Sequence, residues 1–261
     1  MQDSTPKKRI IFVIVYLILF SLAGYLLYKL IAPAPTCMDH KQNQDEKGID
    51  CGGQCKPCKS NIQTEDLVVK EASFIDGGNG TFDAVAKISN PNYLTGASSF
   101  SYEIVLKDET GSAVGSVKGK NFILPADTKY VAEIGIRPLE GKIPKSVEFK
   151  ISDIVWKELA DLSNPQLEVN NKKFQKNATG IGSEVSGILK NSSTYDLESI
   201  NIVVVLRDQY GKVLGINITK KDNVLAKEER SFLVTWSNNF SVEVSKIEVE
   251  AQSNIYNLIK S

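Results

Sequence analysis

Residues 106–115, LKDETGSAVG, return one hundred positions later as LRDQYGKVLG at 206–215. A second block keeps the same offset, SVEFKISDIVW at 146–156 against KIEVEAQSNIY at 246–256. Upstream, Ile88 and Asn90 match Leu189 and Asn191 at an offset of 101, so one intervening loop differs by a single residue. Three separated blocks in step mark a duplication. Its period is far too long for a solenoid unit and suits a whole domain.

Apolar residues within each copy fall on alternate positions. Phe82, Ala84, Ala86 and Ile88 do so, as do Tyr130, Ala132, Ile134 and Ile136. The second copy has Phe232, Val234 and Trp236, then Ile247, Val249 and Ala251. A period of two is that of half-buried strands. INIVVVL at 200–206 is more continuously apolar and is expected in the middle of a sheet. Turn signals interrupt at Asp76–Gly80, Asn90–Asn92, Asp108–Gly111 and Asp208–Gly211. The fold class predicted is all-β: two tandem immunoglobulin-like sandwiches, residues 61–157 and 165–261, lacking the Cys-Trp-Cys pattern of antibody domains. Asp108 and Asp208 read as turn formers, with Gly111 and Gly211 relieving the exits. Trp156 and Trp236 fall on strand positions and read as core or junction packing. The junction at 157–164, KELADLSN, has no Gly/Ser tract, which predicts a restricted angle between the domains.

Each copy also has a strand-to-turn signature, Ile104-Val105-Leu106-Lys107-Asp108 and Val204-Val205-Leu206-Arg207-Asp208, followed by Gly111 or Gly211 and preceded by Asn90 or Asn191. This resembles the FxLYD family of small bacterial β-sandwich domains, related to the LEA14-like fold. Only the Leu and Asp match; aliphatic and basic residues replace the family's Phe and Tyr. The resemblance covers the two sandwiches and implies an envelope-exposed domain of unassigned role. Five Asn-x-Ser/Thr triplets begin at Asn79, Asn177, Asn191, Asn217 and Asn239, and in so Asn-rich a chain they read as coincidence.

Ahead of the duplication, IIFVIVYLILFSLAGYLLY at 10–28 carries no charge and follows Lys7, Lys8 and Arg9. At about 1.5 Å per residue the run crosses a hydrocarbon core of roughly 30 Å. The expectation is a cytoplasmic tail at 1–9, a single transmembrane helix at 10–32 and everything beyond it outside the membrane. A cleaved signal peptide is the rival, against which stand the length of the apolar run and Pro35 behind the only A-x-A-like site.

All four cysteines lie in the module at 33–60, as CMDHKQNQDEKGIDCGGQCKPC. Outside a membrane, Cys37, Cys51, Cys55 and Cys58 favour two disulfides in a segment too short to bury a core, with three pairings open. A four-thiolate zinc shell is the alternative. The segment resembles a motif of secreted bacterial proteins, C-x-D-x3-N-x2-E-x-G-x-D-C-G-G-x-C-x2-C, departing from it slightly at His40. That resemblance implies an extracytoplasmic spacer. Asp39, Asn43, Asp45, Glu46 and Asp50 are oxygen donors of the kind calcium takes, though not in EF-hand order. A polar loop closed by Asx turns is the other reading of the same residues.

The charges balance at 31 basic and 31 acidic residues, and no basic stripe points to nucleic acid. The one histidine is His40, and no cysteine follows Cys58. The sandwiches therefore lack Ser-His-Asp and Cys-His sites and His-ligated zinc, and no phosphate or dinucleotide loop is present. No catalytic residue, cofactor or small-molecule substrate is expected, calcium at the module aside. The expected role is a non-catalytic protein offering its sandwich edges and loops to other envelope proteins. The alternative is a structural subunit of a larger membrane or surface assembly.

Overall fold

The computed structural model describes residues 5–31, 37–43, 45–56, 64–159, 163–177, 182–237 and 239–258. The chain divides into two compact units, residues 1–62 and 63–261. Among its described residues the first unit contains one helix, α1 (Thr5–Ile31). From Ile10 to Tyr28 its side chains are exposed on every side, so it has no apolar stripe of the kind that packs on a soluble core. It is long and apolar enough to cross a membrane. Ser21 returns its hydroxyl to the Leu17 carbonyl at 2.8 Å, so the hydroxyl is satisfied within the helix.

The second unit is all β. The first copy supplies β1 (Val68–Gly78), β2 (Thr81–Ser89), β3 (Thr95–Lys107), β4 (Ala113–Ile123), β5 (Thr128–Ile136) and β6 (Ser146–Glu158). The second supplies β7 (Leu167–Lys176), β8 (Ser183–Asn191), β9 (Leu197–Arg207), β10 (Val213–Val224), β11 (Glu229–Trp236) and β12 (Lys246–Gln252). These make four three-stranded antiparallel sheets, ordered β1-β2-β5 and β4-β3-β6, then β11-β8-β7 and β10-β9-β12. Both copies share one topology: first, second and fifth strands in one sheet; fourth, third and sixth in the other.

Within a copy the sheets face each other across an apolar core. Ala84, Ala86 and Ile88 of β2 and Val131 of β5 meet Phe100, Ile104 and Leu106 of β3 and Phe149 of β6. In the second copy Val185 and Leu189 of β8 and Phe232, Val234 and Trp236 of β11 meet Ile202, Val204 and Leu206 of β9. Trp236 also donates its indole N–H to the Ile216 carbonyl at 3.2 Å. Trp156 packs at the margin of the first core.

The repeat signals mark two structural devices. Asn90 is buried; its amide donates to the Thr95 and Leu124 carbonyls at 2.8 and 2.9 Å, and its oxygen accepts the Asn92 N–H at 3.0 Å. Asn191 does the same for Tyr195 and Val224, at 3.0 and 3.3 Å, and accepts the Ser193 N–H at 3.1 Å. Each asparagine thus ties the exit of one strand to a neighbouring loop. Its full burial at Asn191 leaves no room for a glycan. Asp108 and Asp208 each accept two backbone N–H groups further along their turns. Gly111 and Gly211 take φ of 80° and 83° there, a region that favours glycine.

β9 does lie mid-sheet, and its continuous apolarity has a further cause. Ile202, Val204 and Leu206 point into their own core, while Val203 and Val205 join Val213 and Ile216 against Val85 and Tyr130 of the first copy. β9 is therefore covered on both faces, like a strand of a parallel sheet. Phe122 and Leu124, at the end of β4, extend this contact by packing into the second core.

Candidate functional site

The cysteine module, in the first unit, is held by a disulfide between Cys37 and Cys55, Cα atoms 5.5 Å apart. Cys51 is also disulfide-bonded, and Cys58 lies outside the described residues. The Cys37–Cys55 bond takes two of the sulfurs that a four-thiolate zinc shell would need. Four of the five oxygen donors form one network around it. Asp50 accepts the Asp39 and His40 backbone N–H groups at 2.9 and 3.0 Å. Asp39 accepts the Lys41 N–H at 3.0 Å and the Asn43 amide at 2.9 Å. Glu46, buried, accepts the N–H groups of Asn43 and Asp50 at 3.1 and 3.3 Å, and its other oxygen lies 3.1 Å from Cys55 Sγ. Asp45 stands apart, exposed, with φ of 63°.

These carboxylates face backbone N–H donors rather than converging on one point. Among the described residues the one cluster of three metal-ligating atoms is Cys37, Glu46 and Cys55, and two of those are disulfide sulfurs. The N–H groups accepted by Asp39 and Asp50 fit a loop closed by Asx turns, while Asn43 Oδ1 is buried without a hydrogen-bond partner.

The second unit has its chemistry where the two sandwiches meet. Arg207, at the end of β9, donates to both carboxylate oxygens of Glu71 on β1, at 2.8 and 2.9 Å. It also reaches Glu248 of β12 at 2.9 Å and the Tyr130 hydroxyl of β5 at 3.2 Å. Tyr130 in turn donates to Glu248 at 2.6 Å. The Glu71 bonds hold the guanidinium charged, and Arg207 in return holds Glu71 below the usual carboxylate range. Burial pulls Glu248 upward, yet hydrogen bonds from Lys246, Tyr130 and Arg207 outweigh it and hold the carboxyl at about 2. One planar cation thus bridges strands of both copies.

Beside this clamp lies Lys129, only 1% exposed. Its ammonium donates to Asn121 Oδ1 and the Phe122 carbonyl at 2.9 and 2.8 Å and sits 3.6 Å from the centre of the Phe122 ring. Burial pushes it down to about 7, against the attraction of Glu250 and Asp127. Burial likewise pushes Glu250 up to about 7.

Glu250 and Gln252 of β12 also act on the edge of β5. Glu250 accepts the Tyr130 backbone N–H at 2.9 Å, and Gln252 donates to the Tyr130 carbonyl at 2.9 Å. Past them a cleft of about 490 Å³ opens between the sandwiches, lined by Ala132 and Glu133 of β5 and by Asn201, Val203, Thr219 and Lys220 of the second copy. Tyr102 donates its hydroxyl to Glu133 at the near wall, and Gly119 makes room for that ring.

None of these junction residues was singled out for function by the sequence, but a signal was present. Glu103 and Val203 hold the same position in the repeat, as do Lys107 and Arg207. Lys107 pairs with Glu148 at 2.6 Å as Arg207 pairs with Glu248, but the first pair lies on an open face. A charged position that is apolar in the second copy, and a lysine that is arginine there, mark the covered face. Neither any family model nor any curated protein matches this chain.

Proposed function

We propose that the chain is a non-catalytic, membrane-anchored protein of the cell envelope that holds a two-sandwich body outside the membrane for contact with other proteins. The observation that carries this reading is the N-terminal helix, uncharged and exposed on all sides from Ile10 to Tyr28. Lipid is the surrounding in which such a surface is stable. Lys7, Lys8 and Arg9 ahead of it favour an N-terminus retained in the cytoplasm. The Cys37–Cys55 disulfide supports an oxidising compartment for the residues beyond the helix. The strand order of each copy suits an immunoglobulin-like sandwich one strand short, in keeping with the FxLYD-like signatures at Leu106-Lys107-Asp108 and Leu206-Arg207-Asp208. With no histidine or cysteine in residues 59–261, binding rather than catalysis is the reading those domains support.

Photo-crosslinking from surface positions of residues 63–261 in intact cells tests the partner claim. Protein adducts that recur at neighbouring positions are expected; scattered or absent adducts would contradict it.

A further inference from the structure

β5 is an edge strand of its sheet. β5 pairs with β2 alone, so its other edge has no strand neighbour. In an antiparallel pair, residues alternate between those that bond across the pair and those whose N–H and C=O point away. Tyr130 bonds outward, to Glu250 and Gln252, so it belongs to the second kind. The register runs unbroken from Lys87↔Tyr130 to Ala84↔Glu133. Ala132, two residues on, therefore points its N–H and C=O the same way, away from β2, and it lines the cleft that Asn201 and Thr219 also line. No neighbouring strand or side chain among the described residues takes those two groups.

Glu250 and Gln252 already imitate a strand at Tyr130, one accepting and the other donating as a backbone would. The imitation stops where the cleft begins. We propose that an extended segment of a partner polypeptide enters this cleft and pairs with β5 at Ala132, continuing the line that Glu250 and Gln252 start. The proposal rests on the partner-binding reading above and gives it a place. Main-chain groups supply the affinity in such pairing, and Thr219, Asn201 and Lys220 are placed to read the side chains of the incoming strand.

The test uses the full chain in detergent and a phage-displayed library of linear random peptides, the selected sequences then made synthetically. Hydrogen exchange should find the Ala132 amide fast in the free protein and slowed by bound peptide. Ala132→Pro removes the donor at an edge position where proline is tolerated, and it should weaken binding about tenfold or more. Thr219→Trp, which fills the cleft from the opposite wall, should weaken binding similarly. An Ala132 amide already as protected as Val131 in the free chain would overturn the proposal, as would peptides indifferent to both variants or no peptide selected at all. Crosslinking in cells that persists in Ala132→Pro would overturn this site while leaving the broader reading intact.

Discussion

Replacing Arg207 by alanine should uncouple the two sandwiches. The side chain is 9% exposed, and its partners Glu248 and Glu71 are 17% and 33% exposed. Removing one partner of a buried ion pair costs about 3–5 kcal/mol, because the other charge is left without compensation. Solvent reaching Glu71 places this case near the lower end, at about 3 kcal/mol. Lys107→Ala is the internal control. It removes the matching cation of the first copy, but Lys107 and Glu148 are 30% and 42% exposed, so the cost is below about 1 kcal/mol. The chain has two tryptophans, Trp156 on β6 and Trp236 on β11, one for each sandwich. Urea unfolding of Trp156→Phe and Trp236→Phe backgrounds then reads each sandwich separately. Native transitions should coincide, and Arg207→Ala should separate them while Lys107→Ala does not. If Arg207→Ala costs no more than Lys107→Ala and the curves stay together, the clamp does not couple the sandwiches.

Glu250 has a higher pKa folded than unfolded, so the folded chain binds more protons between about pH 4.5 and 7, and its contribution to stability is lost as pH rises through that window. Glu250→Gln should therefore flatten the difference in urea midpoint between pH 5 and 7; an unchanged slope would show that the carboxyl titrates elsewhere. Lys129, pushed down instead, works in the opposite sense between about 7 and 10.5, so the two limbs are separable. Asn90→Ala and Asn191→Ala should each cost about 1–3 kcal/mol by leaving buried carbonyls unpaired, with equal effects in the two copies. EDTA should leave protease cleavage of the cysteine module unchanged, since its carboxylates are turned onto backbone N–H groups; faster cleavage would show that calcium orders it.

The duplication was legible because the residues that carry it have local jobs. Asn90 and Asn191 staple loops, and Asp108 and Asp208 build turns, so both recur at fixed spacing. Alternation along β2 and β11 gave the strand faces directly, since each has one side on a core, but on β5 it marked the wrong face. There Val131 enters the first core, Tyr130 and Ala132 face the second copy, Ile134 is exposed, and an irregularity near Gly135 returns Ile136 to the core. The junction was harder to read. Docking adds a second covered face, and on β9 this makes INIVVVL look like a strand buried mid-sheet, which it is, without saying what covers its other side. The open face of the first copy keeps Glu103, Lys118 and Lys150 at the matching level. Lys129 and Glu250 gave no signal at all, because their burial depends on residues 121 positions apart in sequence coming together. In the module, composition named the oxygen donors, and the structure adds which loop N–H groups the carboxylates accept.

Which side of the membrane the two-sandwich body occupies is decided most directly by reporters joined after the C-terminal residue. Alkaline phosphatase, which needs disulfides to become active, should work in that position, and a fluorescent protein that folds only in the cytoplasm should stay dark. A bright fluorescent fusion with an inactive phosphatase would contradict the account.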